Sequence, residues 1–480
     1  MRPTSEPPAL VLKYTHLLLS GLLLLARPAG AQIAPPGTAV PATPPPAAPA
    51  PVHQSADAPA DARNWSLHFQ QTVIKQWHAE FASPVADSLL GPLSLQSREK
   101  AKLSLTTTLF IGRRLWRGGA LFFNPEVSGG SGLSAASGVA GALNGETFRV
   151  GSTEPALYLA RLFLQQRWAL GPGTATDQDD LNQLAGPRPS RYLGLTAGKI
   201  SIADYFDQNA YSHNPRTQFM NWSLMSTGAW DYPANTRGYT LGALAEYVTP
   251  DFALRVATTL VPTYANGPVL DYRYAKAHSE TIELTKAYKV SGRPGTLRLL
   301  GYRTVAPMGT YRTAIRLAEG TGDEPDIVAV RRDGHTKLGF GLNAEQELAK
   351  NVGLFARISY NDGKNETWAF TEIDQNASLG VVSTGARWQR PDDRLGAAVV
   401  VNGISPEHRA YLAAGGRGFI LGDGNLTYGL ERIGEVYYSV ALPKYHAAIS
   451  PDYQFVVNPG YNRDRPGPVH VVALRLHIEF

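Results

Sequence analysis

Residues 469–480 read VHVVALRLHIEF. Val472, Leu474, Leu476, Ile478 and Phe480 alternate with Ala473, Arg475, His477 and Glu479. A strict period of two is the signature of a β-strand with one apolar and one polar face. The pattern recurs upstream. Trp65, Leu67 and Phe69 alternate with Ser66, His68 and Gln70. Phe252, Leu254, Val256, Thr258 and Leu260 alternate with Ala253, Arg255, Ala257 and Thr259. Leu338, Phe340, Leu342 and Ala344 alternate with Gly339, Gly341, Asn343 and Glu345, and Val352, Leu354, Ala356, Ile358 and Tyr360 alternate with Gly353, Phe355, Arg357 and Ser359.

Two architectures produce such strands. In a sandwich the apolar face packs on a second sheet. In a membrane barrel it faces lipid, and the polar face lines a wet lumen. The polar faces here hold full charges (Arg255, Glu345, Arg357, Arg475, Glu479), and the strands read as 9–12 residues, the length of a tilted span. Phe480, on an apolar-out strand, resembles the C-terminal signal by which the barrel assembly machinery recognises outer-membrane barrels. The expectation is an all-β transmembrane outer-membrane barrel over residues 64–480. Sixteen antiparallel strands fit its length, with 14 or 18 as the neighbouring solutions.

Composition agrees. Of 480 residues, 18% are charged, below the ~25% of ordinary soluble domains. Gly 47, Tyr 22 and Trp 8 suit turns and interfacial aromatic belts. A net charge of +5 gives no sign of a nucleic-acid partner. With Cys 0, disulfides, Cys-ligated zinc, Fe–S clusters and a Cys nucleophile are excluded.

The first 63 residues belong to another regime. Arg2 and Lys13 precede an apolar core at 17–26, and Ala29-Gly30-Ala31 supplies small residues for a signal peptidase. A cleaved signal peptide over 1–31 is expected. Nine of residues 32–63 are Pro and none is aromatic, which predicts a disordered periplasmic linker.

A series of runs resembles the carbohydrate-selective porin family OprB. They are NWSLHFQ at 64–70, LFIGRRLW at 109–116 with FNPE at 123–126, GALNGE at 141–146, GKI at 198–200 with DYFD at 204–207, NPRTQFMNW at 214–222 and GAWDYP at 228–233. Later come ETWAFTEID at 366–374, GGRGF at 415–419 with GDG at 422–424, and YNRDR at 461–465. The set keeps its order over residues 64–480. Pro466 departs from the family pattern, in a turn before the last strand. The resemblance implies a 16-stranded outer-membrane barrel passing small sugars, glucose-like monosaccharides above all, by facilitated diffusion.

The same runs carry suitable chemistry. A sugar offers hydroxyls to charged groups and a C–H face to an aromatic plane. Arg113, Arg114, Asn124 and Glu126 stand near Trp116 in sequence. Trp230 and Asp231 come with Arg237, and Trp368 with Glu372 and Asp374. These eleven form the pool of candidate pore-lining residues. Each has a structural reading beside the functional one, since Trp near strand ends anchors at interfaces and paired charges brace loops. Other functions remain open: a general diffusion pore, a polysaccharide exporter, or, in a different class, a secreted β-rich sugar-binding protein. Glu372 and Asp374 could be drawn as a glycosidase pair, but no GxSxG elbow and no HExxH spacing occurs. No enzyme, cofactor or metal is expected. Gly422-Asp423-Gly424 reads as a hairpin turn.

Overall fold

A computed structural model describes residues 63–82, 93–147, 153–465 and 467–480. The segment 1–31 expected to be a signal peptide, the Pro-rich stretch up to Ala62 and Pro466 lie outside the described residues.

Sixteen antiparallel strands close a barrel. They are β1 (Trp65–His78), β2 (Lys102–Trp116), β3 (Gly119–Gly130), β4 (Ala156–Ala169), β7 (Tyr192–Ile200), β8 (Thr240–Val248), β9 (Phe252–Thr259), β10 (His278–Val290), β11 (Arg293–Ala306), β12 (His335–Ala349), β13 (Val352–Asn361), β14 (Gln375–Gly385), β15 (Arg390–Gly403), β16 (Glu431–Leu442), β17 (Ala447–Val457) and β18 (Val469–Glu479). Between β4 and β7 a separate hairpin pairs β5 (Thr174–Asp177) with β6 (Gly186–Pro189). β1 closes the barrel on β18, in register from Gln70↔Glu479 to His78↔Val471. The backbone of Phe480 exchanges both hydrogen bonds with that of Phe69, at 2.9 and 3.0 Å.

The period-two pattern has a physical consequence in every strand. On β2, Ser104, Thr106 and Thr108 point inward and are buried, while Leu103 and Leu115 are exposed. The exposed apolar band continues through Leu284, Leu299, Phe340, Ile358, Leu379, Val399 and Leu474. Such a band is stable against lipid and would aggregate in water. Strands β2 and β12 reach 15 residues, beyond the predicted 9–12.

The connections alternate. At the end where β1 begins they span only 117–118, 249–251, 291–292, 350–351, 386–389 and 443–446, with the exception of 170–191. At the opposite end they span 79–101, 131–155, 201–239, 260–277, 307–334, 362–374, 404–430 and 458–468. Trp65, Trp116, Trp168, Trp388 and Phe480 are exposed around the short-turn end, where an interfacial belt is expected.

The sequence 422–424 makes no tight hairpin turn. It lies within the 404–430 connection, where Asp423 accepts hydrogen bonds from Ser94 Oγ and, at 2.7 Å, from Asn462 Nδ2. Asp423 therefore ties three long connections together.

Candidate functional site

The longest connection, 201–239, does not stay outside. It folds into the barrel, and charged side chains on the wall hold its backbone there. Glu283 of β10 accepts the Asp207 N–H at 2.7 Å. Glu435 of β16 accepts those of Met220 and Asn221. Arg357 of β13 donates to the carbonyl of Leu224 at 2.9 Å and pairs with Asp207 at 3.2 Å. Arg475 of β18 donates to the carbonyls of Pro215 and Gln218, each at 2.7 Å. An irregular segment buried in a barrel has many backbone groups to satisfy, and these four residues supply partners for them. Small wall residues make room. A Cβ on Gly353 would lie 1.9 Å from the ring of Tyr211.

The infolded connection narrows the lumen against β2, β3 and β4. Glu126 of β3 is the centre of the polar side. It accepts from Thr108 Oγ1, from Tyr158 Oη, from Tyr239 Oη at 3.0 Å and from Arg216 Nη2 at 3.4 Å. Arg216 also pairs with Glu146 at 3.0 Å. Arg161 of β4 makes a bidentate pair with Asp204 at 2.6 and 2.7 Å. Arg237 lies 4.1 Å above the Tyr158 ring and donates to Ser128 Oγ at 3.2 Å.

Aromatic rings form the other side. Trp222, Phe370 and Tyr232 stack, with centroids 4.6 Å apart between Trp222 and Phe370 and 4.4 Å between Tyr232 and Phe370. Trp230 joins them 5.3 Å from Tyr232. Its indole Nε1 is buried with no hydrogen-bond partner among the described residues. One cavity of about 760 Å³ touches both sides, being lined by Glu126, Arg161, Arg216, Arg237, Trp222, Trp230 and Tyr232. That volume lies in the range of small-molecule sites. Fixed donors and acceptors beside flat apolar rings can hold a polyol by its hydroxyls and its C–H face.

The candidate residues separate into groups. Glu126, Trp230 and Arg237 border this cavity. Asn124 is fully buried on the same inward face of β3 and donates to Asn182 Oδ1 at 2.9 Å. Arg114 also points inward but reaches the carbonyl of Ala185 at the short-turn end. Arg113 and Trp116 stand away from the cavity. The guanidinium of Arg113 lies 4.3 Å over the exposed ring of Trp65, and Trp116 is exposed at the rim, donating to Gln166.

Asp231, Trp368, Glu372 and Asp374 come together, but with each other's loops. Asp231 accepts the N–H groups of Trp368 and Ala369, at 2.9 and 2.6 Å. Trp368 donates its indole N–H to the Pro262 carbonyl at 3.0 Å. Glu372 accepts from the backbones of Ile420 and Leu421. Asp374 accepts from Ser405 N–H at 2.9 Å and meets His408 Nδ1 at 3.0 Å. Ser405 caps the helix Pro406–Ala413 by accepting the His408 N–H, and Pro406 occupies its first turn. This capped turn fixes His408. Lys337 of β12 is fully buried between Asp231, at 3.7 Å, and Asp374, at 3.8 Å. The chain Asp231–Lys337–Asp374–His408 thus joins the 201–239, 362–374 and 404–430 connections to the wall.

Burial sets the electrostatics of these loop carboxyls. It pushes Asp231 upward against the pull of Lys337 and the two N–H donors. It does the same to Glu372, against His408. At Asp374 burial also raises the value, but His408, Lys337 and the Ser405 N–H outweigh it and hold the carboxyl at about 2.

Sequence reasoning did not select Arg216, Arg161, Tyr158, Tyr239 or Tyr232 for the site. Arg216 lies inside NPRTQFMNW and Tyr232 inside GAWDYP, so the runs were visible while the roles were not. Tyr158 and Arg161 sit on β4, whose partners in the site come from β3 and from the 201–239 connection. No group of three His, Cys, Asp or Glu among the described residues is arranged to hold a metal ion.

Comparison with known proteins gives a consistent set. The family model described as carbohydrate-selective porin, OprB family, matches residues 96–480. Among solved structures, the chain is similar to OprB of Pseudomonas putida at high pH, with 18% identity, 88% of this chain and 94% of that chain covered, and a TM-score of 0.64. The low-pH structure of that protein gives 13% identity, 87% and 93% coverage and a TM-score of 0.46. The outer membrane channel DcaP of Acinetobacter baumannii gives 12% identity, 89% and 100% coverage and a TM-score of 0.46. No curated protein matches the chain. The first of these likenesses bears on the fold.

Proposed function

Given that the chain belongs to the carbohydrate-selective porin family OprB and forms a carbohydrate channel in the bacterial outer membrane, we propose that it passes glucose-like monosaccharides by passive, facilitated diffusion. One observation carries this reading. The cavity at the narrowed lumen has fixed charges of both signs on one side and stacked rings on the other, with the unpartnered indole N–H of Trp230 beside it.

The steps follow from the residues. A hexose entering from the long-loop end exchanges water for Arg216, Arg161 and Glu126, while a ring face lies on Trp230 or Tyr232. Arg presents several donors in a rigid fork and the carboxylate accepts, so a hydroxyl finds both roles at once. The arginines keep their own carboxylate partners, so the sugar is held weakly enough to leave, as conduction requires.

A polysaccharide exporter for anionic chains would need a predominantly cationic lumen. The cavity lining here has six arginines against seven carboxylates, which favours a neutral solute. In this reading the short-turn end faces the periplasm, the signal peptide over 1–31 is removed on export, and the barrel assembly machinery engages β18. Reconstitution into liposomes, with swelling measured over a panel of sugars, tests the proposal. Swelling should be faster with glucose than with a neutral polyol of similar size.

A further inference from the structure

The connection 170–191 breaks the pattern of the periplasmic end. Its neighbours there are minimal turns, yet this one contains the β5–β6 hairpin. The last rung of the hairpin before its 178–185 tip is clamped: Asp177 sits between Arg167 and Arg188, each at 2.7 Å. Its tip does not project into the periplasm. Asn182, in the left-handed region at φ 54, accepts from the inward-facing Asn124 at 2.9 Å. Leu184 is buried in the cluster that contains Phe122 and Phe163 of the barrel wall.

The flank of the tip is tied to the start of the barrel. Asp179 pairs with Arg63 at 2.9 Å and meets His68 at 3.2 Å. The Ala185 carbonyl accepts from the Arg63 N–H and from Arg114 Nη2, both at 3.2 Å. Asp180, Leu181, Asn182 and Gln183 then line the same cavity as Glu126, Arg161 and Arg216. Asn124 Oδ1, buried beside Asn182, has no hydrogen-bond partner among the described residues. The lumen is therefore narrowed from both ends, by 201–239 from one and by this hairpin from the other.

We propose that the hairpin tip is a second constriction, in series with the first on the periplasmic side, and that Asp180, Asn182 and Gln183 contact the departing sugar and set the largest saccharide that passes. The inference rests on the carbohydrate-channel reading. The clamp at Asp177 and the ties at Asp179 and Ala185 fix the tip, so it acts as a static filter. A rigid filter discriminates by width and by fixed acceptors, and it spares a monosaccharide while stopping longer chains.

Two variants test it. In the first, residues 174–189 are deleted and the ends joined by two glycines, with folding checked by heat-modifiable mobility in detergent gels. Single-channel ion conductance should rise roughly two- to fivefold, and trisaccharides that the wild type excludes should enter liposomes. A folded deletion variant with wild-type conductance and the wild-type size limit overturns the proposal. The second variant keeps the hairpin. The chain has no cysteine, so Gln183→Cys offers a single thiol. A bulky methanethiosulfonate reagent added from the periplasmic side should lower conductance by about half or more. Labelling that leaves conductance unchanged, or a thiol that is not labelled at all, overturns the placement of the tip in the path. Both conductance readouts are independent of sugar. A wild type that carries ions but shows no sugar preference contradicts the sugar reading while the hairpin is still judged.

Discussion

Arg216 Nη2 and Glu126 Oε2 stand 3.4 Å apart, one carried into the lumen by the 201–239 connection and the other fixed on the barrel wall. This ion pair ties the infolded connection to the barrel wall at the edge of the cavity. Arg216 keeps a second carboxylate, Glu146 at 3.0 Å, so the loop does not depend on Glu126 alone.

Glu126→Gln should therefore leave a folded barrel and change the solute pathway. In the proposed sugar reading it weakens a charged acceptor on the cavity wall, an effect of ~1.5–3 kcal/mol, or about a ten- to hundredfold loss of site affinity. Glucose flux at low concentration should fall accordingly, while ion conductance changes much less. Paired liposome-uptake and planar-bilayer recordings check this.

Trp230→Phe tests the aromatic side. The ring remains, and only the unpartnered Nε1–H is lost. In the proposed sugar contact the loss of a neutral hydrogen bond is ~0.5–1.5 kcal/mol, or about two- to tenfold in sugar affinity, whereas an Nε1 that its burial keeps from the solute gives no change. Trp230→Ala should cost more, because the flat face goes as well. Sugar block of ion current at graded concentrations gives both affinities.

Much of the barrel was legible in the sequence, because lipid on one side and a polar lumen on the other enforce period two. Strand β18 with Arg475 inward and Leu474 and Leu476 outward shows it. The function of the inward charges was not legible. Arg357 and Arg475 read as residues of a water-filled lumen, yet both are fully buried and hold the backbone of 201–239. A charge facing water and a charge facing an infolded loop give the same alternation. The loop contacts of the Trp and Asp runs were not legible for a related reason. Asp231 and Trp368 have the residue types of a sugar site, but the Asp231 carboxylate accepts the backbone N–H of Trp368 and the Trp368 indole donates to the Pro262 carbonyl. Those partners lie over a hundred positions apart, and a local motif contains no record of them. The hairpin at 170–191 left no signal beyond an unusual interval between two strands.

Asp231→Ala should act on assembly more than on selectivity. It leaves two backbone N–H groups unsatisfied and Lys337 with one carboxylate fewer. Breaking such a buried pair costs ~3–5 kcal/mol. The variant should unfold at a markedly lower temperature in detergent, and the fraction that folds should retain its sugar preference. A normal melting temperature with lost preference would place Asp231 in the sugar path.

Acid should loosen the long loops through Asp374. Its folded value of about 2 lies below the ordinary 3.8, so the stabilisation is complete above about pH 4 and is lost as pH falls toward 2. The shift corresponds to about 2 kcal/mol. Proteolysis of the 362–374 and 404–430 loops should accelerate in that window, using a protease active at acid pH. Asp374→Asn should show raised cleavage at neutral pH and a flatter acid profile.

Deleting 33–60 should leave conductance and folding almost unchanged, since a Pro/Ala stretch without aromatics has too little apolar area to contribute to a core. Single-channel recording of the deletion variant is the check, and a closed or unassembled pore would assign the stretch a role in the barrel.

The central claim is that the narrowed lumen selects a neutral hexose. Its most direct test is liposome swelling by the purified wild-type barrel in glucose and in a linear hexitol of nearly equal mass. The account predicts faster entry of glucose, with a preference that collapses in Glu126→Gln. Equal rates in the wild type, with the mutant indistinguishable from it, would contradict the account and leave a general diffusion pore.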